Sequence, residues 1–168
     1  MMQKYGAFIC VCCFSIFMAC AQTRSFTEAA LDDTFLSVNG ATVSFREILE
    51  KHRGKPVLID VWATWCKDCI VGMPELKKMM GNYPAVEFVF LSLDKGREQW
   101  EKGIKKYGLA NGAHYYSENG WKSDFFTSIE LDWIPRYMLL DGQGNIIVYR
   151  AIKADDTELN IQLKQYEK

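Results

Sequence analysis

An apolar run from Val57 to Ala63, interrupted only by Asp60, leads through Thr64 and Trp65 into Cys66-Lys67-Asp68-Cys69. Half-exposed strands alternate polar and apolar residues, so this run reads as a strand buried on both faces. From Cys69 onward the apolar positions fall at Cys69, Ile70, Met73, Leu76 and Met80, the spacing of one buried helix face. Val86 to Leu93 then reads as a second buried strand. Strand, helix and strand in that order make a right-handed parallel crossover, the unit of an α/β fold. Two cysteines stand where the first strand hands over to the helix.

That position has chemical consequences. A helix N-terminus carries unpaired N–H groups and the positive end of the macrodipole, so it favours a thiolate over a thiol. In a Cys-x-x-Cys setting the pKa can fall to roughly 3.5–7.5, from about 8.5. Cys66 is therefore the expected nucleophile. Cys69, within one helical turn, can close and open a small disulfide with it and is the expected resolving thiol. Spacing alone leaves two other readings open, a structural disulfide and half of a zinc site.

The remaining cysteines bear on those alternatives. Of six, Cys10, Cys12, Cys13 and Cys20 lie within the first twenty residues, in or at the end of an apolar run from Gly6 to Ala19 that follows Lys4. This composition describes a secretory leader, too short to span a membrane comfortably. It ends either at Ala19-Cys20-Ala21, a small-x-small cleavage site, or at Met18-Ala19-Cys20, which is similar to a loose bacterial lipobox and would leave a lipid anchor on Cys20. Phe17 weakens the second match, and the small residue directly before Cys20 favours it. With the leader gone, a zinc site would have two Cys plus the distant His52 and His114, short of the usual close-spaced ligand pairs. Export leaves a stable disulfide chemically open. The formal net charge is −1 and no basic run appears, so nothing points to nucleic acid.

The flanks of the dithiol resemble the thioredoxin superfamily, in particular its TlpA/ResA-like branch. Trp62-Ala63-Thr64-Trp65-Cys66-x-x-Cys69 matches that family's active-site motif, and Pro74 falls where its active-site helix kinks. The resemblance implies a thioredoxin-like fold, a central mixed β-sheet flanked by helices, here with an N-terminal β-hairpin extension. It also implies a role for Asp60 as proton acceptor for Cys69. Independently, a lone carboxylate in a buried apolar strand has a raised pKa, which suits acid/base work near neutrality. Ile134-Pro135 matches the family's cis-proline loop, so Trp62, Trp65, Lys67, Asp68, Ile134 and Pro135 are the expected substrate-facing residues. The resemblance implies no metal and no cofactor. Its partners would be disulfide-bearing substrate proteins and an upstream membrane electron donor, with reduction favoured over oxidation.

Taken in order, residues 1–21 are the expected leader, 22–33 a linker and 34–168 the domain. Phe35–Val38 and Ala41–Phe45 flank Asn39-Gly40, a type I′ hairpin signal. Phe45 to His52 reads as a helix with a capping box from Ser44 and Glu47. Arg97 to Tyr107 is a second amphipathic helix, stopped by Gly108. Tyr115-Tyr116 and Ser123–Ile129 suggest a short strand and a short helix. Arg136–Leu140 is a strand, Asp141–Gly144 a turn, Asn145–Arg150 its antiparallel partner, and Asp155–Lys168 a closing helix.

Two departures from the family pattern stand out. Asp68 replaces the proline usual before the second cysteine, and Gly72 replaces a glutamate that many TlpA/ResA-like proteins carry. The opposing charges of Lys67 and Asp68 are each worth less than about one pKa unit, so they leave the redox direction open. Other functions weighed are a peroxiredoxin-type peroxidase and a non-catalytic binding module such as a copper chaperone or an adaptor. No cysteine stands in a peroxidatic Pro- and Thr-containing loop, and Cys-x-x-Cys is one residue shorter than the spacing of copper carriers on this fold.

Overall fold

The computed structural model describes residues 24–167. The expected leader and Cys20 lie outside the described residues. Along the chain come α1 (Glu28–Asp32), β1 (Thr34–Ser37), β2 (Thr42–Ser44), α2 (Phe45–Lys51), β3 (Val57–Trp62), α3 (Lys67–Asn82), β4 (Glu87–Ser92) and α4 (Arg97–Tyr107). They are followed by β5 (Ala113–Tyr116), α5 (Asp124–Ser128), β6 (Arg136–Leu140), β7 (Ile146–Ala151) and α6 (Thr157–Leu163). Single 3-10 turns lie at Gly120–Lys122 and Lys164–Tyr166. The strands form one mixed sheet in the order β2-β1-β5-β4-β3-β6-β7.

β3 is central, and its residues are buried along the whole strand. It runs parallel to β4 and antiparallel to β6, as a strand covered on both faces and followed by a helical crossover should. One register row matters below: Tyr137 of β6 pairs with Asp60, Asp60 with Phe90 of β4, and Phe90 with His114 of β5. Directly opposed residues share a face, so these side chains form a file across the sheet.

The hairpin forms, but not with the expected turn. Gly40 N–H bonds Ser37 O, Ser37 N–H bonds Ala41 O, and Gly40 has φ +85° while Asn39 stays at negative φ. A type I′ turn needs positive φ at both central residues. This is a type I turn closed by a left-handed glycine, held by Asn39 Oδ1 accepting from Ala41 N–H and the Ser37 hydroxyl. The capping box of α2 is formed: Ser44 Oγ accepts from Glu47 N–H at 3.2 Å, and Glu47 accepts from Ser44 N–H at 2.7 Å.

The described part of the expected linker, residues 24–33, packs onto the domain. Thr27 caps α1 by accepting from Ala30 N–H, Ala30 is fully buried, and Phe26 packs 4.8 Å from Phe45 and 5.6 Å from Phe125. A helix this short shows no periodicity in sequence, and distant phenylalanines hold it. At the other end, the closing helix is shorter than expected, because Asp156 caps it and its last turn tightens to 3-10 geometry. On α3 the buried positions are Cys69, Met73, Leu76 and Met79, with Met80 only half-buried. α4 lies tightly over the start of the active loop. A Cβ on Gly103 would run into Thr64 and come within 3.3 Å of the Trp62 ring, so only glycine permits that approach.

Candidate active site

Cys66 is the N-cap of α3, with extended backbone, and is bonded to Cys69 in a disulfide with Cα atoms 5.3 Å apart. The two sulfurs are unequal. Cys69 is 1% exposed, whereas Cys66 keeps 6% and borders a groove. Cys69 N–H points at Cys66 Sγ from 3.1 Å, the N-terminal N–H that would stabilise a Cys66 thiolate after reduction. Cys66 Sγ also lies 3.5 Å from the carbonyl oxygen of Ile134, and the Ile134–Pro135 bond is cis. Two chain segments far apart in sequence thus meet at one sulfur.

Asp94 holds the loop that carries Cys66. Buried behind it, this carboxylate accepts from Thr64 N–H at 2.9 Å, from the Thr64 hydroxyl at 2.5 Å and from the Ser92 hydroxyl at 2.9 Å. The opposite wall is held by Arg136, which is 1% exposed. It donates to Ile129 O at 3.2 Å and to the Asp132 carboxylate, which Arg150 also engages at 2.8 Å. Burial pulls the Arg136 pKa down from its ordinary value while Asp132 opposes that shift. A guanidinium, whose ordinary pKa lies far above neutrality, remains charged. The Ile129–Asp132 stretch, just before the proline bend, is therefore tied to β6. Neither residue stands out in sequence: Asp94 meets Thr64 from 30 positions away, and Arg136 with Asp132 reads as an ordinary surface charge pair.

A groove of about 400 Å³ beside Cys66 is lined by Trp65, Lys67, Asp68, Trp121, Trp133 and Ile134, with Asp132 at its edge. Trp65, Trp121 and Trp133 are 49%, 42% and 51% exposed, costly for indoles with nothing to bind. A second groove of about 510 Å³ shares Trp133 and Asp68 and is lined by Val71, Pro135, Tyr137 and Ile152. Trp121 and Trp133 were missed in the sequence, lying in a stretch without periodicity. One expectation fails: Trp62 is fully buried, its ring 6.3 Å from that of Tyr107 on α4, and it cannot face a substrate. Trp62 belongs to β3, which is buried on both faces, and Trp65 to the loop beyond it.

Asp60 lies beneath this apparatus, 2% exposed, with neither oxygen hydrogen-bonded among the described residues. Burial pushes its pKa well above the ordinary carboxylate value. Tyr137 Oη sits 3.6 Å from where a Cβ on Gly72 of α3 would stand, so the face shared by Tyr137 and Asp60 is the one α3 covers. Cys69 is buried on the inner side of that helix.

A family model described as thioredoxin-like matches residues 54–146. Among curated relatives, the thiol-disulfide oxidoreductase ResA of Geobacillus kaustophilus is 32% identical over 118 residues, 68% of this chain and 66% of that protein. The thiol:disulfide interchange protein DsbE of Pseudomonas fluorescens is 31% identical over 98 residues, 56% of this chain and 38% of that one. The chain thus spans well under two thirds of the length of several curated relatives it matches. A solution structure of a thiol-disulfide oxidoreductase from Bacteroides vulgatus superposes with TM-score 0.68 at 32% identity, covering 84% of this chain and 90% of that one. A thiol-disulfide oxidoreductase from Bacteroides fragilis has the same fold, with TM-score 0.67 at 24% identity over 86% of this chain and 98% of that one.

Proposed function

Because this chain belongs to the thioredoxin-like family, we propose that it is an exported thiol-disulfide oxidoreductase that reduces disulfides in client proteins through a mixed disulfide on Cys66. The observation that carries this reading is the inequality of the two sulfurs: one borders a groove at a helix N-terminus, and the other is sealed beneath it.

In the reduced enzyme the Cys66 thiolate attacks one sulfur of a client disulfide. A Cys66–client bond forms, and the client's second sulfur leaves as a thiolate that takes a proton from water. Cys69 then attacks Cys66 Sγ while its thiol proton passes to Asp60. The Cys66–Cys69 bond forms, the Cys66–client bond breaks, and the client's first sulfur departs as a thiolate. Two electrons have moved from the enzyme dithiol to the client cystine, and Asp60 later returns its proton to solvent. A buried carboxylate of raised pKa suits that transfer, since burial makes it a stronger proton acceptor than an ordinary carboxylate.

The exposed rim of Trp65, Trp121 and Trp133 offers apolar contact to the chain around the client cystine, and the Ile134–Pro135 bend offers backbone groups beside the reacting sulfur. Lys67 and Asp68 are exposed at the mouth. A leader over residues 1–21 would direct the domain outside the cytoplasm, facing the periplasm, either released after cleavage or tethered by a lipid anchor on Cys20. A membrane electron donor would recharge the dithiol.

Replacing Cys69 with Ser tests the reading. Mixed disulfides on Cys66 then cannot resolve, so client proteins of the exported compartment accumulate as covalent adducts that dithiothreitol releases. Normal expression with no adduct, and no insulin reduction by the wild-type protein, would overturn it.

A further inference from the structure

Asp60 has few neighbours that could carry charge. On β4 it faces Phe90, and beyond Phe90 stands His114, stacked on that ring at 4.6 Å with its Nε2 engaged by Leu109 O. On β6 it faces Tyr137, and α3 above them places Cys69 and Met73 inward. Asp68, Glu75, Lys153 and Asp155 stand around the neighbouring groove. Burial, reinforced by the charge of Asp60, pushes the Tyr137 hydroxyl far above its ordinary value, so it stays neutral.

Two further facts concern Tyr137. Gly72 of α3 lies over this file, and the nearest atom to where its Cβ would stand is Tyr137 Oη, at 3.6 Å, an ordinary van der Waals distance. The same tyrosine is 1% exposed yet lines the groove beside Pro135. Its ring therefore stands between the groove and the carboxylate. The groove that Tyr137 lines is thus one cross-strand step from Asp60, with Phe90 on the other side and α3 above.

We propose that Tyr137 is a positioning residue for the proton step: seated beside Asp60 and beneath α3, its ring keeps groove water off Asp60 and so sets the pH at which Asp60 takes the proton of Cys69. This inference rests on the proposed role of Asp60. The ring acts by excluding water; the hydroxyl passes no proton.

The oxidised protein is the proper material for a test, because its cysteines do not titrate. The carboxyl ¹³C resonance of Asp60, identified by its loss in Asp60→Asn, reports the carboxylate directly. In Tyr137→Ala water reaches Asp60, the charged form gains solvation, and the midpoint falls by about one pH unit or more. Tyr137→Phe keeps the ring and leaves the midpoint in place. Tyr137→Leu, which fills the strand position but is too short to reach Gly72, gives a smaller fall in the same direction and serves if the alanine variant does not fold. The pH at half-maximal rate for resolution of a preformed Cys66 mixed disulfide follows the carboxyl midpoint. An unmoved midpoint in the Ala and Leu variants overturns the inference, as does a Phe variant that shifts as far as Ala. If Asp60→Asn leaves the pH profile of resolution unchanged, the proton-acceptor role falls instead, and the carboxyl titration still decides whether the ring excludes water.

Discussion

The two sides of this sheet use aromatic side chains in opposite ways. Under the N-terminal hairpin, Phe26, Phe35, Phe45, Phe125 and Phe126 pack ring against ring with centroids 4.4–6.4 Å apart. Around the dithiol, Trp65, Trp121 and Trp133 stand about half in solvent. The first cluster joins α1, β1, α2 and α5 into one body and has no exposed polar purpose. The second rests on two buried charges, Asp94 and Arg136, that hold loops and not packed rings. Stability is concentrated where surfaces are dry and mutually filled; binding capacity sits where apolar area is left uncovered and the backbone under it is tied by hydrogen bonds.

The contrast can be broken most severely at the dry cluster. Phe125→Ala should lower unfolding free energy by about 3–5 kcal/mol in denaturant titration, yet leave exchange with a small disulfide intact while the chain is folded. A cost no greater than that of removing an exposed indole would erase the distinction. Asp60 supplies the next effect. Its folded pKa lies above its unfolded value of about 3.9, so the native state holds the extra proton and stability declines as pH rises between those two values. The slope contributed reaches at most about 1.4 kcal/mol per pH unit and vanishes in Asp60→Asn, as measured by chemical unfolding of the oxidised protein across pH 4 to 8. Trp133→Ala should leave the unfolding midpoint unchanged and weaken reduction of a protein client about tenfold in kcat/KM, or ~1.4 kcal/mol, with little change toward a small disulfide. Equal losses on both substrates would mean that the indole holds the loop and does not receive the client. Ser44→Ala should cost about 1 kcal/mol of stability with no change in exchange rate, because the capping box lies in the hairpin region, away from the dithiol.

Much of this molecule was legible along the chain. The span of α4 and its left-handed Gly108 stop, the Arg136–Leu140 strand, the capping box of α2 and the burial of β3 all follow from signals within one or two helical turns or a few strand residues. Asp60 was singled out because it stands where the resembling family carries its buried carboxylate, and a charge inside an apolar strand supports that reading. Asp94, Arg136, Trp121 and Trp133 were not, for each looks ordinary beside its sequence neighbours. Trp62 shows the converse error: the first residue of the motif, it faces α4 and not the groove.

Local chemistry determined the strand, the helix, the caps and the spacing of the two sulfurs, because those depend on backbone geometry and on contacts between near neighbours. The depth difference between Cys66 and Cys69, the meeting of Cys66 with Ile134, the convergence of three indoles and the file from Tyr137 to His114 were decided only when strand order and register brought distant segments together. Such contacts join residues tens of positions apart, and no short stretch of chain carries the information that places them.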